Sequence, residues 1–536
     1  MLHDIRFALR LLLKSPGFSA IAILTLALGI GVNTSVFSLV HTMIYQPPSY
    51  ERPHEIVQLF SQDSKNPKSF RGFSYPTYRD IREQNTVFSG LLAHNLAMIG
   101  IGEKGDTPRA FADVVSSNYF SVLGRAPAQG RTFSPEEETP GRSVPVAIVS
   151  HNYWRKQGLK PDLLGSKMLI DGRPFTIVGI MPKDFSGTMQ IIAPEVWLPL
   201  GMYDQVANDF EGDNRNSLGD RAGTQLMLIG RLKPGTTAAA ALPALKTLAS
   251  NLEKAYPAEQ KNQTFTTAPV SRFSTSTSPQ GEGGMSKIAP LLLGMSAVVL
   301  LVACLNLANM LLARGTSRRK EIAIRQALGG TRQRIVRQLL IEGFVLALCG
   351  GAFGLLLGIW SCHLLIASAG KMLPLDLVWS TSPNPAILIA TLIFAMFGTI
   401  CFALGPALKL SRGLIIGDLK ENAAEDVVRR KWKFLPRNPL VVAQIAFSLA
   451  LLTAAALFLR GAQKAAAVDT GLKTERSFLL EVDASLAGRD QKQSQELYRK
   501  LQERIAALPG VESAAISATV PFGMISLGKN VQRAGF

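Results

Sequence analysis

The chain has 536 residues and a formal net charge of +18, yet only 18% of its residues are charged while 47% are hydrophobic, and its mean hydropathy is +0.18. That balance excludes an ordinary soluble multidomain protein. The basic residues gather beside long apolar runs rather than along one polar face, which points to the charge rule of membrane loops and away from nucleic acid.

Residues 1–17 carry Arg6, Arg10 and Lys14 against Asp4, and an apolar run follows at 18–45. A membrane core takes roughly 20 apolar residues in a helix. The run far exceeds the roughly 7–15 residues of a signal-peptide core, so it reads as an uncleaved first span. Residues 46–287 then form a polar block long enough for a domain with its own core. In MLIDGRPFTIVGI (168–180), Asp171-Gly172 separates two apolar runs and predicts a type I′ hairpin. VPVAIV (144–149), VWLPL (196–200) and TQLMLIGRL (224–232) read as further strands. TTAAAALPALKTLASNLEKAY (236–256) reads as a helix, and FSYPTYRDIREQNTVF (73–88) as a shorter one after an extended entry. The block is therefore predicted to be mixed α+β, with STSTSPQGEGG (274–284) as a flexible return to the membrane. Glu136, Glu137 and Glu138 follow a proline and read as a solvated loop.

Four more apolar runs complete the set of spans: 288–313, 343–369, 385–410 and 440–459. Among the connections, 314–338 holds eight basic residues against one acidic, and 409–437 holds eight against four. The 370–384 loop holds only Lys371 and Asp376. A cytoplasmic N-terminus places all the basic regions inside, including the coupling segment 314–342 and the linker 411–438. Residues 46–287 and 460–536 then lie outside. The fold class expected is an α-helical multi-span membrane protein of five spans, with an α+β extracytoplasmic domain between spans 1 and 2.

Cys304, Cys349, Cys362 and Cys401 all fall inside predicted spans, so they read as packing residues rather than a disulfide framework. Asn33, Asn306, Asn309, Gln444 and His363 are polar groups in span interiors, suited to interhelical hydrogen bonds. GGAFGLLLG (350–358) brings small residues to close-packing intervals, either where spans meet or across a dimer. The chain also repeats itself. KSPGFSAIAILTLALGIG (14–31) and PRNPLVVAQIAFSLALLT (436–453) both run from a basic residue through Pro into a span. YRDIREQNTVFSGLLAH (78–94) and YRKLQERIAALPGVESAA (498–515) each read as a helix, a turn and small residues. Two copies of an anchor and outer domain are expected, with 460–536 as the start of an incomplete second domain in a truncated chain.

Spans 2 and 3 are joined by ARGTSRRKEIAIRQALGGTRQRIVRQLLIEG (313–343), eight Arg and Lys against two Glu. Gly329-Gly330 divides it into two short helices, with Ser317 and Thr331 as N-caps. Ile324 and Leu328 share a face of the first, and Ile335, Val336, Leu339 and Leu340 form a stripe on the second. By composition, such a piece fits a basic interfacial helix on lipid headgroups as well as a docking helix.

SRRKEIAIRQALGGTRQRIVRQLLIEG (317–343) resembles the cytoplasmic coupling segment of MacB/FtsX-type ABC transporter permeases. CLNLANMLLAR (304–314) and FALGPALKLSR (402–412) resemble the ends of that family's second and fourth spans. NYFSVLG (118–124), GRTF (130–133), VAIVSHNYW (146–154) and FTIVGIMPKDF (175–185) resemble its periplasmic core domain. The opening LRLLLKSPGFSAIAILTLALGIGVNT, the fifth span and LPGVESAAISATVPFG (508–523) resemble the duplicated permeases abundant in acidobacteria.

The resemblance implies a multi-pass permease of the bacterial inner membrane. Its coupling segment, through Arg318, Glu321, Ile324, Arg325, Ala327, Leu328 and Gly329, would dock on an ABC ATP-binding subunit. ATP would be bound by that partner, with no cofactor in this chain. Hydrolysis there would move the outer domains, as efflux or mechanotransmission. Membrane lipids, a second permease copy or homodimer, and a periplasmic partner are the other contacts expected, and nucleic acid is not. The alternative is an FtsX-like membrane regulator of envelope enzymes that moves no substrate. No complete G-x-x-x-x-G-K-[ST] is present; GMISLGKN (523–530) ends in Asn530, where a hydroxyl should reach Mg²⁺. With no G-x-S-x-G or H-E-x-x-H and six scattered histidines, no catalytic or metal residue is predicted.

Overall fold

Among the described residues, five helices are long and apolar enough to cross a membrane: span 1 (Pro16–Val40), span 2 (Gly283–Ser317), span 3 (Arg332–Met372), span 4 (Pro385–Ser411) and span 5 (Pro439–Ala466). The computed structural model describes residues 2–102, 107–189, 193–206, 217–272, 276–279, 283–317, 324, 331–372, 385–411, 439–468, 477–480, 482–484, 488–489 and 491–517. Contacts divide the chain into a helical unit (1–46, 283–369 and 379–468) and a second unit (47–282, 370–378 and 469–536).

In the helical unit, Pro16 opens span 1 where its missing N–H has no helical partner to lose. A π turn, His41–Tyr45, follows the span. Apolar side chains surround each span, so leucines such as Leu28, Leu356 and Leu452 face outwards while backbone groups are satisfied within the helix. Leu26 and Ile30 of span 1, Leu300, Cys304 and Leu307 of span 2, Leu346 of span 3 and Phe402 of span 4 share one buried core. The N-terminal helix Leu2–Leu13 adds Ala8 and Leu12 to it. The second short helix expected after Gly329-Gly330 is instead the opening of span 3, whose helix runs unbroken from Arg332. Nothing interrupts it because the stripe residue Ile335 is already buried at its start.

The second unit is built on one mixed sheet. Its strands are β1 (Ile56–Asp63), β2 (Phe70–Arg71), β3 (Phe88–Gly100), β4 (Arg109–Val115), β5 (Gln129–Gly130), β6 (Val146–Val149), β7 (Lys167–Ile170), β8 (Arg173–Ile180), β9 (Val196–Pro199), β10 (Met227–Leu232) and β11 (Gln263–Pro269). They lie in the order β11-β1-β10-β3-β4-β9-β6-β8-β5, with β2 on β1 and β7 on β8. All pairs are antiparallel except β4 with β9 and β6 with β8. Every residue of β6 and β9 is buried, which is why VAIV and VWLP read as unbroken apolar runs rather than alternating ones. One face packs Leu59, Leu91, Val114, Leu198 and Leu228 with Tyr78 and Leu245 from two helices. Phe120, Phe133, Phe185 and Trp197 form a second cluster.

Both of those helices start on side-chain caps. Ser74 accepts from the Thr77 amide ahead of Tyr75–Gln84, and Thr237 from the Ala240 amide ahead of Ala238–Ala255. The hairpin at Asp171-Gly172 has φ of 48° and 73° at its two turn residues, the left-handed pair a type I′ turn requires. Two expectations are corrected. Residues 88–94, read as a turn and small residues, belong to the long strand β3. Of the three glutamates read as a solvated loop, Glu137 and Glu138 are 6% and 2% exposed. Arg131 makes a two-pronged bond to Glu137 (2.8 and 3.1 Å), and Ser117 and Arg82 both bond Glu138. The charges stay buried because each is paired.

Candidate functional site

Of the residues assigned to ATPase coupling, Arg318, Glu321, Arg325, Ala327, Leu328 and Gly329 lie outside the described residues. Ile324 is helical and 61% exposed. The ends framing them are described: span 2 stays helical to Ser317, and span 3 starts at Arg332, its first turn closed by the Thr331 carbonyl accepting from Arg334 at 3.0 Å. Arg332, Arg334 and Arg337 face outwards beside the buried Ile335.

Behind this mouth, polar groups tie the spans to one another. Asn33 of span 1 donates to the Ser296 carbonyl of span 2 at 2.7 Å, and the Ser296 hydroxyl donates back to its Oδ1 at 3.1 Å. Thr34 meets Thr391 of span 4 at 3.2 Å, and Ser35 meets Ser361 of span 3 at 2.9 Å. Asn309 of span 2 donates to Gln444 of span 5 at 2.9 Å. Asn33, Asn309 and Gln444 therefore act as the interhelical glue their positions suggest, and Asn306 is partly buried. His363 departs from that reading, since it lies exposed on the surface of span 3. Gly350, Gly354 and Gly358 pack against span 1, and Gly351 against span 4: a Cβ on Gly350 would meet Leu26 Cβ at 2.6 Å, one on Gly354 the Ala27 carbonyl at 3.0 Å, and one on Gly351 the Ala395 Cβ at 3.6 Å. Of the two uses the sequence offers for these small residues, spans meeting within this chain is the one seen at Gly350, Gly351, Gly354 and Gly358. All four cysteines are free, with Cys304 and Cys362 buried.

The α+β unit holds a buried polar network that sequence reasoning missed. His94 Nδ1 lies 3.0 Å from Asp113 Oδ1, and the Tyr119 hydroxyl donates to Asp113 Oδ2 at 3.0 Å while accepting from the Thr188 amide at 3.1 Å. Burial, then the Asp113 charge, pushes the Tyr119 hydroxyl well above its ordinary range, so it stays a donor. All three side chains are sealed from solvent, which fits a staple between β3 and β4 rather than a group that meets substrate. No sequence spacing reveals it, because antiparallel pairing alone brings residues 94 and 113 together. Another buried acid, Asp171, accepts from the Gly100 amide at 2.7 Å. Burial pushes its carboxyl up to about 6; the Gly100 bond opposes that, Asp483 adds to it, and Arg173 opposes it. Among the described residues no three His, Cys, Asp or Glu side chains group as metal ligands.

Residues 19–248 match the MacB-like periplasmic core domain, and residues 293–413 match the FtsX-like permease C-terminal. The chain is similar to the uncharacterized ABC transporter permease YknZ of Bacillus subtilis, 23% identical over 423 residues, covering 77% of this chain and 97% of YknZ. It is also similar to the macrolide export ATP-binding/permease protein MacB of Burkholderia thailandensis, 28% identical over 294 residues. That match covers 54% of this chain and 40% of MacB, so the chain spans about two fifths of that relative's length. Among solved structures, the periplasmic region of MacB from Actinobacillus actinomycetemcomitans aligns at 12% identity and a TM-score of 0.29, over 42% of this chain and 94% of that one. The extracellular domain of the ABC-type transporter YknZ from Gram-positive bacteria aligns at 14% identity and a TM-score of 0.29, over 40% and 99%. With the core-domain module ahead of span 2 and the FtsX-like module across spans 2 to 4, the chain carries the two domains found in MacB/FtsX-type ABC transporter permeases.

Proposed function

We propose that this chain is the membrane subunit of an ABC-type efflux or mechanotransmission complex, held in a bacterial inner membrane with its N-terminus in the cytoplasm. A separate ATP-binding subunit hydrolyses ATP, and the spans pass its motion to the α+β domain across the membrane. The observation carrying this reading is the setting of the basic segment. It joins the ends of spans 2 and 3, and both helices contribute to one buried core with spans 1 and 4. A push on such ends moves packed helices rather than a slack loop. The loop charge counts support the orientation. The name of the Burkholderia relative, which pairs ATP-binding with permease, supports the kind of partner.

In this reading Arg318, Glu321, Ile324, Arg325, Ala327, Leu328 and Gly329 form the docking surface. Reversing the charge at Arg325 weakens docking and headgroup binding alike, so it does not separate them. Ala327→Trp does, because an interfacial helix accepts an added aromatic, whereas overpacking a docked surface costs about 1–3 kcal/mol. The variant is expected to insert normally while lowering co-purification of the ATP-binding subunit and its stimulated hydrolysis. Full association and full stimulation in Ala327→Trp would make lipid anchoring the better account of this face.

A further inference from the structure

Where the basic segment leaves and re-enters the bundle, three parts of the chain converge on one guanidinium. Arg314, on the last turn of span 2, reaches Glu342 of span 3, with Nη1 3.4 Å from Oε1. Its Nη2 donates to the Ser15 hydroxyl, one residue ahead of span 1. Its Cζ lies 4.3 Å from the centroid of the Phe18 ring, in the first turn of span 1. Glu342 is 4% exposed, and the Arg314 side chain 14%.

A buried ion pair is a poor way to gain stability, since desolvating two charges costs much of what their attraction returns. It is a good way to fix geometry. A planar guanidinium can stack on a ring and bond in its own plane at once, whereas a lysine ammonium is a single point charge. Apolar side chains at the same positions would pack with looser register. We propose that Arg314 and Glu342 are positioning residues that hold the two ends of the basic segment at a fixed spacing and lock both to the root of span 1. Displacement of the segment is then delivered to spans 1, 2 and 3 together instead of being lost as splaying between them. What drives that displacement rests on the coupling reading above; the clamp itself does not.

The test is made on the full chain in lipid nanodiscs, with the four native cysteines replaced by alanine and spin labels at Leu13→Cys and Gln333→Cys. Both labelled positions are exposed and neither belongs to the clamp. The parent is expected to give one narrow distance distribution by double electron–electron resonance. Glu342→Gln should broaden it and move it outwards, and the exchange Arg314→Glu with Glu342→Arg should narrow it again. Arg314→Lys keeps the charge but not the stacked fork, and serves if Glu342→Gln does not insert. An unchanged distribution in Glu342→Gln, or in Arg314→Lys where Glu342→Gln does not insert, overturns the proposal. A second readout uses the ATP-binding subunit that co-purifies with the parent chain. Glu342→Gln should keep its association and lose most of its stimulated turnover with KM for ATP unchanged, and full stimulation would again overturn the clamp. Failure of the docking reading shows in Ala327→Trp alone, because the distance measurement contains no ATPase.

Discussion

A Cβ on Gly31 would stand 3.0 Å from the carbonyl oxygen of Gly354, and one on Gly354 would stand 3.0 Å from the Gly31 amide nitrogen. Spans 1 and 3 therefore meet backbone to backbone, the contact that small residues permit between membrane helices. Neither obstacle is a side-chain tip that swings away, so the backbones themselves would have to part. Gly354→Leu is expected to lower the melting temperature of the detergent-solubilised chain, with a cost of roughly 1–3 kcal/mol. Gly405→Ala, where nothing lies within 4 Å, serves as the control and should melt with the parent. Equal melting of Gly354→Leu and the parent would contradict the close contact.

The network of His94, Asp113 and Tyr119 predicts a stability effect that is not additive. Asp113→Ala leaves the buried His94 ring and the Tyr119 hydroxyl without the acceptor they share. Stranding buried polar groups costs about 1–3 kcal/mol for each. Tyr119→Phe removes one donor and also the acceptor used by the Thr188 amide, so it should cost less than Asp113→Ala. The double variant should lose less than the sum of the two, since both changes break the same bond. Strict additivity in thermal melts would show that the groups do not act together.

Asp171 predicts a pH dependence. Its ordinary carboxyl value is about 3.9 in an unfolded chain, and burial pushes it up to about 6 in the folded one. Between those values the folded state binds more protons than the unfolded state, so stability falls as pH rises through that window and the full penalty persists above it. Asp171→Asn keeps an oxygen to accept from the Gly100 amide, tolerates the left-handed backbone and carries no charge. The variant is expected to exceed the parent by about 2 kcal/mol near neutral pH, with the difference shrinking towards about pH 4. A difference that grows on acidification would reverse the sign of the argument.

Orientation is open to direct labelling. Lys261 is exposed in the α+β unit, and Lys14 is exposed just ahead of span 1. In intact cells a membrane-impermeant maleimide should modify Lys261→Cys and spare Lys14→Cys. The reverse pattern would sink the topology.

The sequence by itself determined the parts of this protein whose cause is local. A run of twenty or more apolar residues has nowhere to lie but a membrane or a core, so spans were legible from length and hydropathy. Asp171-Gly172 was legible as a hairpin because few residue pairs tolerate two consecutive left-handed conformations. The helices capped by Ser74 and Thr237 announced themselves by the spacing of their formers. Other strands stayed hidden: β1, β3, β4 and β11 carry Gln58 and Ser61, His94 and Asn95, Asp113, and Thr264, Thr266 and Thr267, respectively, where a simple alternation would be sought.

Only the tertiary structure decided which distant residues meet. β1 lies between β10 and β11, so its neighbours come from far along the chain. Glu137 and Glu138 read as solvent-facing until Arg131, Arg82 and Ser117 are brought around them. His363 reads as an interior group until span 3 turns its glycine face to span 1 and leaves the histidine outside. Arg314 reads as one more cation in a basic loop until Glu342 and Ser15 close on it. Propensity and hydropathy act over a few residues, whereas a charge is solvated or paired according to what the whole fold places within about 4 Å of it.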